Sequence, residues 1–154
     1  MIKIIDLCYV RIGAVDLNEA VIFATKKLGL QEVRREENRA YVRGDSRDHD
    51  ICCVEGGIEE HVLGFEIENK DGLQEAYEEL ELADVKVKWG TDKEIIDRRV
   101  TNFFSFFDPS GNCFDLCAKP QKSTRRYFPT RDAGITEFSH VGLKTTDAPR
   151  DEIF

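Results

Sequence analysis

Imidazole, thiolate and carboxylate groups carry most metal and acid–base chemistry, so the three histidines, the five cysteines and the carboxylates near them are weighed first. The thiols make a poor metal site. Cys52–Cys53 and the pair Cys113 and Cys117 lack the CxxC spacing of structural zinc. With Cys8 they form an odd set, which reads as reduced, buried thiols of a cytoplasmic protein. His49 stands between Asp48 and Asp50 in a polar turn and is expected to have no catalytic role. Asp115 is a different case. It alternates with Phe114 and Leu116 and shares a face with Cys113 and Cys117, so its carboxylate points into partly apolar surroundings and needs a partner or a raised pKa.

These residues have to be positioned by regular elements, and the pattern supplies them twice. IKIIDLCYVRI alternates as a strand, and Asp16 with Glu19 opens a helix whose apolar stripe is Leu17, Ala20, Val21, Ala24 and Leu28, ended by Gly29. Three short strands are expected next, at LQEVRRE, RAYVRG and DICCVE. The plan then repeats. HVLGFEIE is a strand that begins at His61, and Asp71 with Gln74 starts a helix with Leu73, Ala76, Tyr77 and Leu80 inside. Strands follow at VKVKW, TNFFSFF and NCFDLCA, the last two joined by the turn DPSGN, in which proline presets a turn dihedral and Gly111 can take positive φ.

A third beginning is visible at the end of the chain. Residues 4–23 lie over residues 135–154 without a gap, so that Ile4 meets Ile135, Val10 meets Val141, Asp16 meets Asp147 and Phe23 meets Phe154. Self-similarity of this kind marks a repeated supersecondary unit. The expected organisation is a domain over 1–119 made of two modules (about 1–57 and 58–119), a linker over 120–134, and the strand and helix start of a second domain over 135–154.

Composition fits a folded domain, with 41% hydrophobic and 34% charged residues in 154. The net charge of −8 repels nucleic acid and anionic membrane surfaces, so neither is an expected partner. No run of roughly 18 apolar residues is present to span a membrane, and no apolar signal segment follows Met1.

Two βαβββ modules with a third beginning resemble the vicinal oxygen chelate superfamily, which includes glyoxalase I, bleomycin-resistance proteins and type I extradiol dioxygenases. The segments that carry the resemblance are YVRIGAVDLNEAVIFATKKLGL, HVLGFEIEN, FFDPSGNCFDL and SHVGLKTTD. It implies an α+β fold in which paired modules form a cup-shaped mixed sheet. The likeness is strongest to the N-terminal domain of the extradiol enzymes, whose subunits hold four modules in two domains.

In that family two histidines and one carboxylate hold Fe(II), or in some cases Mn(II), and leave open positions for a catecholic diol and O2. Carried over residue by residue, His140 matches the first ligand of the catalytic domain, whose other ligands would lie beyond Phe154. The corresponding positions of the first domain are Tyr9, His61 and Asp115. They make a vestigial set, because a tyrosine replaces the first histidine, and Tyr9 becomes a candidate partner for Asp115. The resemblance therefore implies a chain with no catalytic residues of its own and no tightly bound metal, within an oligomeric, cytoplasmic parent enzyme. The alternatives are a stand-alone small-molecule-binding protein of the bleomycin-resistance type and a glyoxalase-type isomerase or lyase. The latter is weakened by Cys53, which falls near the position of a further glyoxalase carboxylate.

Overall fold

The computed structural model describes residues 2–129, 135 and 140–154. They fall into two compact units, each built on four strands, parallel and antiparallel, with helical cover. Together they are the two expected βαβββ modules of an α+β fold.

The first unit takes Cys8–His61 together with Gln121–Ser139. Its strand order is β2-β3-β4-β1, with β1 (Ile4–Ala14) belonging to it from Cys8 onward, β2 at Gln31–Glu36, β3 at Arg39–Arg43 and β4 at Ile51–Glu55. Val10–Ala14 of β1 runs parallel to Ile51–Glu55, and the hairpins β2–β3 and β3–β4 are antiparallel. The crossover is helix α1, Leu17–Ile22, capped by Asp16, whose Oδ1 accepts the Glu19 N–H at 3.0 Å. The helix loosens into a π turn over Phe23–Lys27 and stops at Gly29, with φ at 77°. Ala24, Leu30 and Val42 bury its inner face with Leu28 and Ile51.

The second unit takes Val62–Pro120, His140–Phe154 and the residues up to Leu7. Its order is β5-β8-β7-β6, from β5 (Val62–Ile67), β6 (Lys88–Trp89), β7 (Asn102–Phe107) and β8 (Cys113–Ala118). β5 and β8 are parallel and the other pairs antiparallel. Helix α2, Lys70–Leu82, lays Leu73, Ala76 and Leu80 on Ile67, Phe104, Phe106, Leu116 and Ala118. Its cap is Asn69, two residues before the expected Asp71. The Asn69 side chain accepts the Gly72 N–H at 2.9 Å, while Asp71 sits inside the first turn.

Two further elements depart from the pattern. The expected strand VKVKW shortens to Lys88–Trp89, and helix α3 forms over Asp92–Arg98. Its signal is the capping box Thr91 to Glu94, in which each side chain bonds the other's backbone N–H. After Pro120, Gln121–Ser139 groups with the first unit and His140–Phe154 with the second. Residues 130–134 and 136–139, which carry the end of the expected linker and part of the strand start, lie outside the described residues. His140–Thr145 form no strand, having no ladder partner among the described residues. Helix α4, Ala148–Ile153, does form as expected, with Asp147 as its cap and the Arg150 N–H at 3.3 Å.

Candidate functional site

In each unit alternation decides which side chains face away from the helix. In the first, Val42 pairs with Ile51 on the helix side, so the paired Tyr41 and Cys52 take the other face. Arg34 pairs with Tyr41 and Arg11 with Cys52, which puts both arginines and Tyr9 on that face too. Tyr9, Tyr41 and Arg11 are buried there, and Arg34 lays its guanidinium 3.7 Å from the centre of the Tyr41 ring.

His49 joins this face from the turn before β4. It is 4% exposed, its ring 5.0 Å from Tyr41 and 5.9 Å from Tyr9. Nδ1 lies 3.1 Å from the Asp48 carboxylate. That acceptor places the proton on Nδ1 and leaves a lone pair on Nε2, which has no hydrogen-bond partner among the described residues. Burial holds the imidazole below its ordinary pKa; Asp48 pulls it up, and Arg34 and Arg11 push it down. The polar flanks of SRDHD conceal this residue in the sequence. They are turned into its supports, with Asp48 on the ring and Asp50 accepting the Gly44 N–H.

Asp115, expected on an inward face, is wholly buried in the second unit. It pairs with Ser105 across β7 and β8 on the face opposite α2. Ser105 Oγ donates to Oδ1 at 2.5 Å, and Arg98 Nε donates to Oδ2 at 2.6 Å. The guanidinium of Arg98 also lies over the Phe103 ring at 4.2 Å. Thus Arg98, brought in by the unforeseen α3, supplies what the isolated carboxylate needed. Nearby Cys113 has its thiol pushed up to about 11, first by burial and then by Asp115, so it is a protonated thiol at neutral pH.

His61 follows a 3₁₀ turn, Ile58–Glu60, as its closing residue, and is exposed at the entry to β5. His140 is exposed and belongs to the second unit. Among the described residues no three His, Cys, Asp or Glu side chains group so as to hold a metal ion. With both oxygens of Asp115 engaged by Ser105 and Arg98, the residues present do not fit a site of two histidines and one carboxylate. What the two faces offer instead is one buried imidazole acceptor and one neutralised carboxylate. No helix among the described residues is long and apolar enough to cross a membrane.

Comparison with known proteins gives consistent matches. The family described as Glyoxalase/Bleomycin resistance protein/Dioxygenase superfamily matches residues 7–116. An iron-dependent extradiol dioxygenase of Rhodococcus jostii is 33% identical over 92% of this chain, which spans 49% of that protein. A 3-methylcatechol 2,3-dioxygenase of Pseudomonas putida is 34% identical over 71% of the chain and 38% of its own length. A crystal structure of catechol 2,3-dioxygenase superposes with a TM-score of 0.87 at 24% identity, covering 98% of this chain and 53% of that one. The chain thus spans about half the length of these relatives, or less.

Proposed function

The chain belongs to the glyoxalase/bleomycin resistance protein/dioxygenase superfamily, and from that premise we propose that it is the N-terminal, non-catalytic domain of an extradiol dioxygenase that opens a catecholic ring beside its diol. The observation that carries this reading is the state of Asp115. The residue at the position of the family's metal-binding carboxylate is closed off by a guanidinium and a hydroxyl, which makes it a structural anchor. Relatives named as extradiol dioxygenases support the chemistry proposed for the parent.

In this reading His140 opens the metal site of a following domain, where Fe(II), or Mn(II), would bring the diol and O2 together. Residues 1–119 form the supporting domain, 120–134 the linker and 135–154 the start of the catalytic domain. The parent is a cytoplasmic homo-oligomer acting on a small aromatic diol, with neither nucleic acid nor membrane as partner.

The test is anaerobic Fe(II) titration of the purified chain, followed by oxygen uptake with catechol and 2,3-dihydroxybiphenyl. The expected result is no stoichiometric iron binding and no turnover here, with both gained in a longer chain that holds the following domain. Turnover by residues 1–154 that His61→Ala abolishes would place the active site in this domain and end the proposal.

A further inference from the structure

The second unit holds a cavity of about 330 Å³ on the helix side of its sheet. Its walls are chiefly apolar, with Phe65, Phe106 and Phe114 from the strands, Leu80 from α2, and Leu143 and Phe154 from the tail. The rings are ordered. Phe106 and Phe114 lie 5.4 Å apart and 17° from parallel, Phe65 and Phe114 6.0 Å and 25°, and Phe154 stands 6.2 Å from Phe106. Offset, nearly parallel rings at such spacings present a surface that another planar ring extends.

The polar lining is concentrated where the turn Asp108–Asn112 meets the tail, and much of it is already satisfied. The Asn112 side-chain amide donates to Asp108 Oδ2 at 2.6 Å and to the Lys144 carbonyl at 3.0 Å. The Asp151 carboxylate accepts from Ser110, from Thr145 at 2.5 Å and from Arg150. These groups hold the tail against the turn and are spent in doing so. Meanwhile Ile4, Leu143 and Phe154, all lining residues, remain about half exposed.

We infer that this cavity is a binding site for an uncharged planar aromatic molecule of one or two rings. Its volume is about twice that of a ~150 Å³ apolar cavity that stays dry and takes up benzene, and it lies at the lower end of small-molecule pockets. The parallel phenyl faces select a flat ring. The Lys144 side chain at the rim is exposed and keeps its charge in water, so the shortage of uncommitted polar partners deeper in the cavity selects a hydrocarbon over a carboxylate or a diol, because burying those groups unpaired is costly. The inference concerns this chain alone and holds whether or not the parent cleaves rings.

The experiment is titration of the whole chain with naphthalene and toluene, followed through the methyl NMR signals of Leu80, Leu116 and Leu143, with benzoate and catechol as polar counterparts. The expected result is saturable, one-to-one binding of the hydrocarbons with Kd on the order of 10 μM to 1 mM, and binding of benzoate and catechol weaker by about tenfold or more. Leu143→Trp fills the cavity from the tail and Ile4→Trp from β1. Each is expected to weaken naphthalene binding by about tenfold or more, with folding checked by cooperative melting, whereas Ile58→Ala leaves binding unchanged. Failure to saturate, equal affinity for benzoate, or indifference to both tryptophan substitutions overturns the inference. So does sedimentation showing that naphthalene only displaces a second copy of the chain from this face.

Discussion

Arg98 Nε lies 2.6 Å from Asp115 Oδ2, joining the end of helix α3 to a carboxylate that is 0% exposed on the central strand β8. A charge so placed depends on its partner, because its hydration has been stripped away. Arg98→Ala is expected to cost about 3–5 kcal/mol in urea unfolding, whereas replacing both partners by apolar residues of similar size, Arg98→Met with Asp115→Leu, restores much of that loss. Asp115→Asn costs less than Arg98→Ala, since an amide oxygen still accepts from Arg98. A loss of under about 1 kcal/mol for Arg98→Ala would show that the pair does not anchor the strand.

Gly13 is held to glycine by its neighbour's backbone. A Cβ built there would meet the Gly57 carbonyl oxygen at 1.7 Å and its carbon at 2.6 Å, and main chain cannot swing aside as a flexible side chain can. Gly13→Ala should therefore cost about 2–3 kcal/mol. At Gly142 nothing lies within 4 Å of the added methyl, so Gly142→Ala is expected within about 0.5 kcal/mol of wild type. Chemical denaturation of the two variants side by side decides it; equal effects would mean that the β1 contact relaxes freely.

How much of this was legible follows from what each signal depends on. The two βαβββ modules were visible because period, caps and turn chemistry are local, as at Asp16 and in DPSGN. The α2 cap slipped by two residues because Asn69 and Asp71 are both good caps and only backbone geometry chooses between them. Helix α3 was announced by Thr91 and Glu94, yet its flanks, one short strand and a chain reversal at Arg99 with φ at 54°, hid its length. The inward face of Asp115 was read correctly from alternation. Its partner Arg98 could not be, since the contact spans 17 residues and rests on α3. The burial of His49 was hidden for the same reason: enclosure by Tyr9, Tyr41 and Arg34 is a tertiary property that a polar local sequence conceals.

The tail is fastened to the second unit at the DPSGN turn. Ser110 Oγ accepts the Thr146 N–H and Arg150 Nη2, both at 2.9 Å, and Phe154 packs near Phe106. Deleting residues 140–154 should lower Tm by roughly 3–8 °C, about 1 kcal/mol in a domain of this size, while melting stays cooperative because the core of α2 on the sheet is untouched. Calorimetry tests this. An unchanged Tm would mean that the tail contributes nothing, and loss of the transition would mean that it is integral to the core.

The loop from Gly44 to Asp50 carries two buried groups whose titrations oppose each other. Asp50 is 4% exposed; burial raises its carboxyl to about 6, helped by Asp45 and offset by the Gly44 N–H and by Arg47. The folded state thus keeps a proton that the unfolded chain has lost, so the stability Asp50 lends is full below about pH 4 and disappears as pH rises through 6. His49 has the reverse sign. Its folded pKa is depressed by burial, so the unfolded chain takes up a proton first, and stability is full above the ordinary value near 6.5 and falls as pH drops. The charged groups that act on the imidazole are Asp48, Arg34 and Arg11. In wild type the two slopes oppose each other, so single substitutions are needed to separate them. Asp50→Asn, which removes one slope, is expected to gain about 2–3 kcal/mol relative to wild type between pH 4 and pH 7. His49→Gln keeps a hydrogen-bonding group for Asp48 without titrating, and should gain on wild type as pH falls from 7 to 5. Urea unfolding at pH 4, 5, 6 and 7 separates the two. Parallel profiles for wild type and either variant would mean that the corresponding group is solvated in the folded protein, and its assigned burial would have to be abandoned.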